Sequence, residues 1–461
     1  MTEWIWESVV DCARAVRERR VSSRELVEAA WAQIERVNPA LNALVTARHE
    51  ASLRDADEAD RALRSGDPIG PLCGIPMTIK DSFDTCDLVT TWGTPGRARF
   101  VPKRDATVVR RLREAGAVLL GKTNTPELTL SFHTRNALFG DTRNPYALEH
   151  SPGGSSGGAA ALVAAGGCAF DVGSDTGGSI RLPAHFCGIA GLRPTSGRVP
   201  RTGHAIGAGG PLERLTQVGP LARRVEDLAL LLDVLAGPDG EDPSIAPVPL
   251  RPMSMDPKSC SGLRVRFHTD NGLATPTLET RAAVVSAARA LEGAGAIVTE
   301  GTPAGLELTP GLFARLMTYD GGAWIHRLLA SAGTLQEDSS LAHLRALKPT
   351  TAADVSDLLE QWDRFRSEML GVFDDCDALL CPVNAGVAPP LEQPESPFLA
   401  YTYTTAYNLT GWPAAVVRAA GSPEGLPIGV QVVAPPWRED LCLSLAWQIE
   451  AVSGGHVPPR L

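Results

Sequence analysis

Two glycine-flanked serine clusters stand close together in the sequence, and a serine hydroxyl in such a setting can serve as a nucleophile. The first cluster is GGSSGG at residues 153–158, and the second is TGGS at residues 176–179. Glycine leaves the backbone uncovered and permits angles that other residues avoid, so bare N–H groups can approach a ligand. An alanine-rich run and a short apolar run separate the clusters, which argues against a flexible linker. The pair therefore predicts a site built from two loops.

Three familiar motifs fit these clusters poorly. GGSSG at 153–157 formally matches the G-x-S-x-G nucleophile elbow, but that elbow must follow a core strand. The preceding residues 144–152 begin with Asn-Pro and end with Ser-Pro, which is not the pattern of a core strand. A phosphate-binding loop needs a lysine directly after its glycines, and none follows here. The nine histidines show no metal-ligand spacing, so no metal site is expected.

A lysine can replace histidine as the base that activates a serine. Lys80 ends residues 74–80, an apolar run typical of a short strand. A lysine must be neutral to act as a base, and at pH 7 this costs roughly 4.6 kcal/mol from a reference pKa near 10.4. Burial among uncharged groups lowers that pKa and with it the cost. On its position alone, a strand-end lysine exposed to water is the simpler interpretation.

The combination of motifs changes that interpretation, because it resembles the amidase signature family. The motifs, in chain order, are GIPMTIKD at 74–81, GKTN at 121–124, SPGGSSGG at 151–158, GSDTGGSIR at 173–181, GLRPT at 191–195, VGPLAR at 218–223, NLTG at 408–411 and GLPIGVQ at 425–431. The resemblance covers about residues 20–450. The separation of 24 residues between Ser155 and Ser179 is highly specific.

The resemblance implies a role for each matching residue. Ser179 would be the nucleophile, Ser155 a bridging serine, and Lys80 the base that takes protons through it. The bridging serine of the family follows a cis peptide bond, which would fall here between Gly154 and Ser155. An oxyanion hole would be formed by four successive backbone N–H groups, those of Thr176, Gly177, Gly178 and Ser179. Asp175 and Arg181 bracket the nucleophile turn, and we expect them to stabilise it.

The resemblance also implies an amidohydrolase that needs no cofactor. Its substrates would be carboxamides, anilides or carbamates, cleaved through an acyl-enzyme intermediate on Ser179, and some relatives act on esters. An alternative is the glutaminase subunit of a transfer-RNA amidotransferase, which passes ammonia to a partner. This chain lacks the SAGYYDAYY run of such subunits, and its nearest stretch, ASAGTLQ at 330–336, departs at the tyrosines. A non-catalytic binding protein is disfavoured because Lys80, Ser155 and Ser179 are all present.

The substrate pocket is less well defined by the sequence. Four aromatic residues suggest an apolar pocket for small neutral or aromatic substrates, although core packing explains any one of them equally well: Trp92, Phe132, Phe139 and Trp412. Variation in substrate is expected to reside in the loops 91–92, 131–136 and 205–216 and in the helical segment 311–370. Ser156 is expected to support the loop rather than to take part in chemistry.

Alternating strand and helix signals predict the scaffold that must position these residues. Helices are predicted at 22–38, near 47–64, 106–115, 224–236, 276–293 and 439–452, and strands at 74–81, 117–120, 168–173, 263–268, 296–299 and 425–433. This alternation predicts an α/β fold in which helices cover both faces of one large mixed β-sheet. We expect one domain over residues 1–461, divided into an N-terminal helical layer (1–66), a signature core (67–236), a surface connection (237–262), and the remaining sheet and pocket cover (263–461).

Composition sets the wider expectations. The chain has 461 residues and a formal net charge of −10, which argues against nucleic-acid binding. No apolar run approaches the about 18 residues of a membrane span. Nine cysteines without Cys-x-x-Cys spacing predict reduced thiols and a cytoplasmic location. The expected partner is a small-molecule substrate, and the expected assembly is a monomer or homodimer.

Overall fold

Thirteen β-strands occur in the part of the chain that the computed structural model describes, residues 4–207 and 209–461. They are β1 (Leu44–Ala47), β2 (Pro76–Lys80), β3 (Val118–Thr123), β4 (Arg135–Asn136), β5 (Gly140–Asp141), β6 (Phe170–Asp175), β7 (Ala190–Arg193), β8 (Gln217–Ala222), β9 (Arg264–Phe267), β10 (Ile297–Glu300), β11 (Ala378–Pro382), β12 (Ala414–Gly421) and β13 (Pro427–Val433). Eleven form one sheet in the order β1-β3-β2-β6-β8-β7-β12-β13-β11-β9-β10, and β4 pairs with β5 separately. Strand β2 is parallel to β3 and β6, whereas β8 is antiparallel to β6 and β7. The prediction of one large mixed sheet is confirmed.

Thirteen α-helices accompany these strands within the described residues. They are α1 (Val9–Arg17), α2 (Ser23–Leu41), α3 (His49–Ser65), α4 (Thr107–Glu114), α5 (Gly157–Ala164), α6 (Arg181–Phe186), α7 (Val225–Leu235), α8 (Leu278–Gly293), α9 (Thr309–Thr318), α10 (Ala323–Ser331), α11 (Ala352–Leu370), α12 (Thr402–Thr410) and α13 (Glu439–Ser453). The predicted helices are present within a few residues of their predicted bounds, and Gly66 ends α3 in a left-handed conformation.

One helix boundary differs from the prediction that Asn38-Pro39 ends the second helix. Helix α2 begins at a Ser22–Glu25 capping box and continues through Pro39 to Leu41. A proline this close to the end removes only one N–H from the last turn, so it does not stop the helix. The chain leaves the helix at Asn42, which has a φ of 51°.

Helices cover both faces of the sheet, because alternate residues of its strands belong to different cores. In β3, Leu119 packs into a core that includes residues of α4, α7, α8 and α13. Its neighbours Val118 and Leu120 pack into the opposite core, which includes residues of α2, α5 and α6. Helix α5 is buried along its whole length, which accounts for its alanine-rich sequence.

Other sequence expectations concern the surface and the thiols. Residues between Leu235 and Arg264 contain no helix or strand among those described. All nine cysteines are unpaired. Of the helices that the structure describes, none combines the length and the apolar character needed to cross a membrane.

Candidate active site

Lys80 is the last residue of β2 and lies in the interior of the protein. Its side chain is fully buried. The Nζ atom donates hydrogen bonds to three serine hydroxyls, at 2.6 Å to Ser155 Oγ, 3.0 Å to Ser174 Oγ and 3.1 Å to Ser156 Oγ. The structure therefore removes the alternative of a solvent-exposed strand-end lysine.

Burial lowers the pKa of Lys80 to about 7, from an ordinary value of 10.5. Removal from water disfavours the ammonium form, whereas the nearby charges of Asp175 and Asp171 favour it and limit the shift. Because none of its three hydrogen-bond partners is a carboxylate, the amine has no ion pair that fixes its charge. A neutral lysine is accordingly accessible near neutral pH.

The GGSSGG cluster forms a tight loop that ends where α5 begins. The peptide bond between Gly154 and Ser155 is cis, as the family resemblance implied. Thr134 Oγ1 donates to the Gly153 carbonyl at 2.9 Å and accepts from the Gly157 N–H at 3.0 Å. A Cβ atom on Gly154 would lie 2.7 Å from the backbone nitrogen of His133, so this close approach of two backbones requires glycine.

Ser151, His133 and Asp141 form a hydrogen-bonded chain directly beside this loop. His133 Nδ1 is 2.7 Å from Ser151 Oγ, and His133 Nε2 is 2.7 Å from Asp141 Oδ1. The arrangement resembles a hydrolytic triad, but Ser151 is fully buried and cannot meet a substrate. Ser151 Oγ instead accepts a hydrogen bond from the Gly153 N–H at 3.1 Å. The chain of contacts therefore holds the serine loop in place.

The TGGS turn connects β6 to α6 and is held by Asp175. Its carboxylate accepts hydrogen bonds from the Gly178 N–H at 2.8 Å and from the side chains of Arg181 at 3.0 Å and Asn408 at 2.8 Å. Burial alone would raise the pKa of Asp175, but Arg181 and the neighbouring Arg193 hold it well below its usual range. These hydrogen bonds satisfy the buried carboxylate and fix the conformation of the turn, which is the role expected for Asp175 and Arg181.

The backbone N–H groups of this turn are not equivalent. Gly178, one of the four predicted oxyanion donors, already donates to Asp175, so its N–H is engaged in the turn. The N–H groups of Thr176, Gly177 and Ser179 make no hydrogen bond within residues 4–207 and 209–461. Three of the four predicted donors therefore remain available to a bound group.

The two serine clusters touch each other. The Ser156 N–H donates to the Ser179 carbonyl at 3.2 Å. Ser179 is 4% exposed and Ser155 is 1% exposed. No hydrogen bond joins the Oγ atoms of Ser179 and Ser155 among the described residues. The clusters thus form one site, in which Ser179 lies nearer to solvent and Lys80 lies behind Ser155.

Ser179 opens onto a cavity of about 240 Å³. The cavity is lined by Thr129, Leu130, Ser131, Phe132, Thr176, Gly177, Ser179, Phe313, Met317 and Glu395. Phe132 and Phe313 lie over Gly177, where a Cβ atom would come within 3.2 Å and 2.9 Å of their rings. Helix α9 supplies Phe313 and Met317, so the helical segment 311–370 contributes to the cavity as expected. The wall is largely apolar and partly aromatic.

The structure separates the four aromatic residues predicted for the pocket. Phe132 lines the cavity and stacks on Tyr401 with ring centroids 3.8 Å apart. Trp412 is 1% exposed and packs against Phe373 and Tyr407 in the core. Two others also lie outside the cavity lining: Trp92, which packs against the guanidinium of Arg97, and Phe139, which lies in the turn between β4 and β5. The loops 91–92 and 205–216 do not line it either, and residue 208 lies outside the described residues.

Several residues of the site were not assigned by sequence reasoning. Ser174 contacts Lys80 and lies in the motif GSDTGGSIR at 173–181, so its membership of that motif could have identified it as a site residue. Thr404 Oγ1 donates to the Gly177 carbonyl at 2.7 Å, but no local pattern marks it. Glu395 lines the cavity from a loop between β11 and α12. It lies far along the chain from the serine motifs, so sequence reasoning could not place it at the site.

Other parts of the described chain offer less chemistry. No group of three or more His, Cys, Asp or Glu side chains there is arranged to hold a metal ion. A larger cavity of about 390 Å³ is lined by Arg201, Glu213 and Arg366, among others, and includes none of the serines or the lysine described above. Arg201 and Glu213 already pair with each other.

The sequence of this chain matches the model of a known protein family. The family model for Amidase matches residues 25–443. The chain therefore belongs to the amidase family, the amidase signature enzymes, and it is an amidase-family hydrolase. The fold and the motif resemblance both agree with this assignment.

Individual relatives cover nearly the whole chain. It is 35% identical to an acylamidase of Rhodococcus erythropolis, over 97% of this chain and 95% of that protein. It is also 35% identical to a glutamyl-tRNA(Gln) amidotransferase subunit of Synechococcus sp. (strain WH7803), over 96% of each. The solved structure of 6-aminohexanoate cyclic dimer hydrolase complexed with substrate superposes with a TM-score of 0.88 at 29% identity, covering 97% of both chains.

Proposed function

We propose that this protein is an amidohydrolase that cleaves the C–N bond of a carboxamide, anilide or carbamate through an acyl-enzyme. The observation that carries the proposal is Lys80, which is fully buried, has a lowered pKa and has its Nζ atom 2.6 Å from Ser155 Oγ. A buried amine that is neutral near pH 7 can accept the proton of a serine. Ser179 lines the cavity, so a bound substrate can reach its hydroxyl.

The reaction follows from these positions. Ser179 Oγ attacks the carbonyl carbon, its proton passes to Ser155, and the Ser155 proton passes to Lys80. Negative charge develops on the carbonyl oxygen, where the N–H groups of Thr176, Gly177 and Ser179 stabilise it by about 3–4 kcal/mol per donor. The relay returns a proton to the departing amine, and water then releases the acid from Ser179 by the same route. The Ser179–Ser155 hydrogen bond forms when substrate binds, since such contacts often tighten only in the complex.

The cavity supports small, apolar acyl or amine groups as substrates. Phe132, Phe313, Leu130 and Met317 supply a wall of four apolar side chains, and aromatic substrates can stack on such a wall. The acylamidase relative is 35% identical, which agrees with this substrate class. Ester and urethane cleavage use the same attack and are included in the proposal.

A hydrolysis panel tests the proposed function. We expect the purified chain alone to hydrolyse aryl amides, acyl anilides or aryl carbamates, with release of the amine followed by chromatography. Glutamine and simple alkyl esters serve as comparison substrates. The absence of hydrolysis for every amide, anilide and carbamate in the panel would refute the proposal.

A glutaminase component of an amidotransferase complex is the second candidate. The 35% identity to the Synechococcus amidotransferase protein equals the identity to the acylamidase, so identity does not separate the two. Glutamine carries a carboxylate, whereas the cavity wall presents no lysine, arginine or histidine to bind one. Ammonia release from glutamine that appears only with partner subunits would favour this candidate.

The pH dependence of catalysis is a prediction of the proposed relay. Because only the neutral amine accepts a proton, kcat/KM should rise with pH and level off above an apparent pKa near the value of about 7 given by burial. Below it, activity should fall about tenfold per pH unit. Initial rates between about pH 5 and pH 10 measure the profile, with the protein's fluorescence recorded to exclude unfolding. A flat profile would remove Lys80 from the role of base.

A further inference from the structure

Glu395 is the one charged side chain among those that line the Ser179 cavity. The remaining lining residues are hydroxyl, apolar or glycine residues, so nothing in the wall neutralises the carboxylate. Within the described residues Glu395 forms no ion pair with lysine, arginine or histidine, and the nearby His133 pairs with Asp141 instead, at 2.7 Å. It therefore places a negative charge that no ion pair compensates in the wall of the cavity.

Glu395 is exposed to solvent, and a hydrogen bond from Ser131 orients its carboxylate beside the cavity. Ser131 Oγ donates to Glu395 Oε1 at 2.7 Å, and the same oxygen of Ser131 accepts from the His133 N–H at 3.0 Å. On the other side, the N–H of Ser396 donates to Tyr401 Oη at 2.7 Å. Tyr401 in turn stacks on Phe132, which lines the cavity. The loop is thus connected to the cavity wall in two places: Glu395 bonds to Ser131, and Ser396 bonds to Tyr401, which stacks on Phe132.

We infer that Glu395 sets the charge selectivity of this cavity, favouring neutral and cationic substrates and disfavouring those that carry a carboxylate near the scissile bond. The inference rests on the proposed function, and it adds the chemical class of the substrate to it. Glu395 touches no reacting atom, so its effect is on which substrates approach and bind.

The size of the effect follows from Coulomb's law. For a unit charge about 8 Å from the carboxylate in an effective dielectric of about 40 to 80, the interaction changes binding about two- to sixfold. The effect has opposite sign for cations and anions. Removing the charge should therefore change the ratio of kcat/KM for a cationic substrate to that for an anionic one by both factors multiplied together, about 5- to 30-fold.

Matched substrates and the variant Glu395→Gln test this inference. One series is the para-nitroanilides of hexanoic acid, aminohexanoic acid and adipic acid, which differ in charge at the end of the acyl chain. A second series keeps an acetyl group and varies the charge on the anilide ring. We expect Glu395→Gln to lower kcat/KM for the cationic substrate and to raise it for the anionic one, each expressed relative to the neutral substrate of the same series. In high salt, the wild-type ratio should approach that of the variant.

Glu392→Gln is the matched control, because Glu392 is exposed on the same loop but does not line the cavity. It removes the same charge from the protein as a whole and should not alter the ratios. Equal ratios in Glu395→Gln and wild type for both series would overturn the inference while leaving the proposed function intact. If no substrate is hydrolysed, the proposed function fails, and calorimetric binding of hexylammonium against hexanoate still decides the charge selectivity.

Discussion

Replacing Ser179 by alanine is expected to lower kcat by about ten-thousandfold to a millionfold, because the proposed acyl-enzyme forms on its hydroxyl. Ser179 lines the cavity, whereas Ser155 is buried behind it and donates no surface to a substrate. The residual rate would come from the oxyanion donors and substrate binding alone. The measurement is single-turnover and steady-state hydrolysis of the best substrate from the panel.

The loss must be separated from misfolding. The alanine variant removes one hydroxyl from a turn that Asp175 holds through other groups, so its free energy of unfolding in urea should change by less than about 1 kcal/mol. Ser82→Ala is a matched control, since Ser82 is buried two residues after Lys80 and its hydroxyl has no partner among the described residues. A folded Ser179→Ala protein with wild-type activity would eliminate the acyl-enzyme mechanism. Mass spectrometry of the wild type with a slowly hydrolysed carbamate should place the acyl group on Ser179.

Replacing Lys80 by methionine is expected to lower kcat by about a hundredfold to ten-thousandfold, the usual contribution of a general base. Methionine fills a similar volume without an amine, so the proton of Ser155 loses its acceptor. The remaining activity should also lose the pH dependence assigned to the lysine. Rates and pH profiles of the variant and wild type, measured on one substrate, check both effects.

The stability of the Lys80 variant provides an independent readout. The pKa of Lys80 is about 7 in the folded protein and near its ordinary 10.5 in the unfolded chain. Between these values the unfolded chain binds the extra proton, so the contribution of Lys80 to the free energy of unfolding should rise with pH from about 7 to about 10.5. Lys80→Met should remove this contribution, whereas that of Lys122, whose pKa burial lowers to about 8, should remain.

Lys122→Met supplies the matched control for a buried lysine. Lys122 is also fully buried, but it donates to Thr85 Oγ1 at 2.7 Å and to the Phe83 carbonyl, away from the serines. Its loss should lower stability and leave the pH profile of kcat/KM in place. If the two lysine variants had the same effect on the profile, Lys80 would have no special role as base.

The position of Lys80 shows how far sequence reasoning reached. The run before it predicted β2, and two motifs further along the chain predicted the serine loop and the nucleophile turn. These features are local: alternating apolar residues define a strand, and glycines define the turns. Burial of Lys80, in contrast, depends on Ser155, Ser156 and Ser174, which lie 75 to 94 residues away. The sequence alone therefore did not decide whether Lys80 is exposed or buried.

Local patterns also determined most helices and strands, while pairing within the sheet needed the tertiary structure. Strand β8 contains Gly219 and Pro220, which locally favour a turn, yet it pairs along its whole length with β6. The partner strand satisfies the backbone there, so context overrides propensity. The same limit applies to α2, whose Pro39 suggested an earlier end.

The amino-acid sequence by itself thus determined the α/β class, the two serine clusters and the lysine that accompanies them. Only the tertiary structure decided which side chains surround the substrate. Trp412 is an aromatic residue of the kind that lines apolar pockets, but it lies in the core. Phe313 and Glu395, in contrast, line the cavity from segments more than 130 residues after Ser179. Catalytic motifs are encoded in short stretches because their backbone must adopt special turns. A cavity wall is assembled from distant segments, and no local pattern records which of their faces will meet.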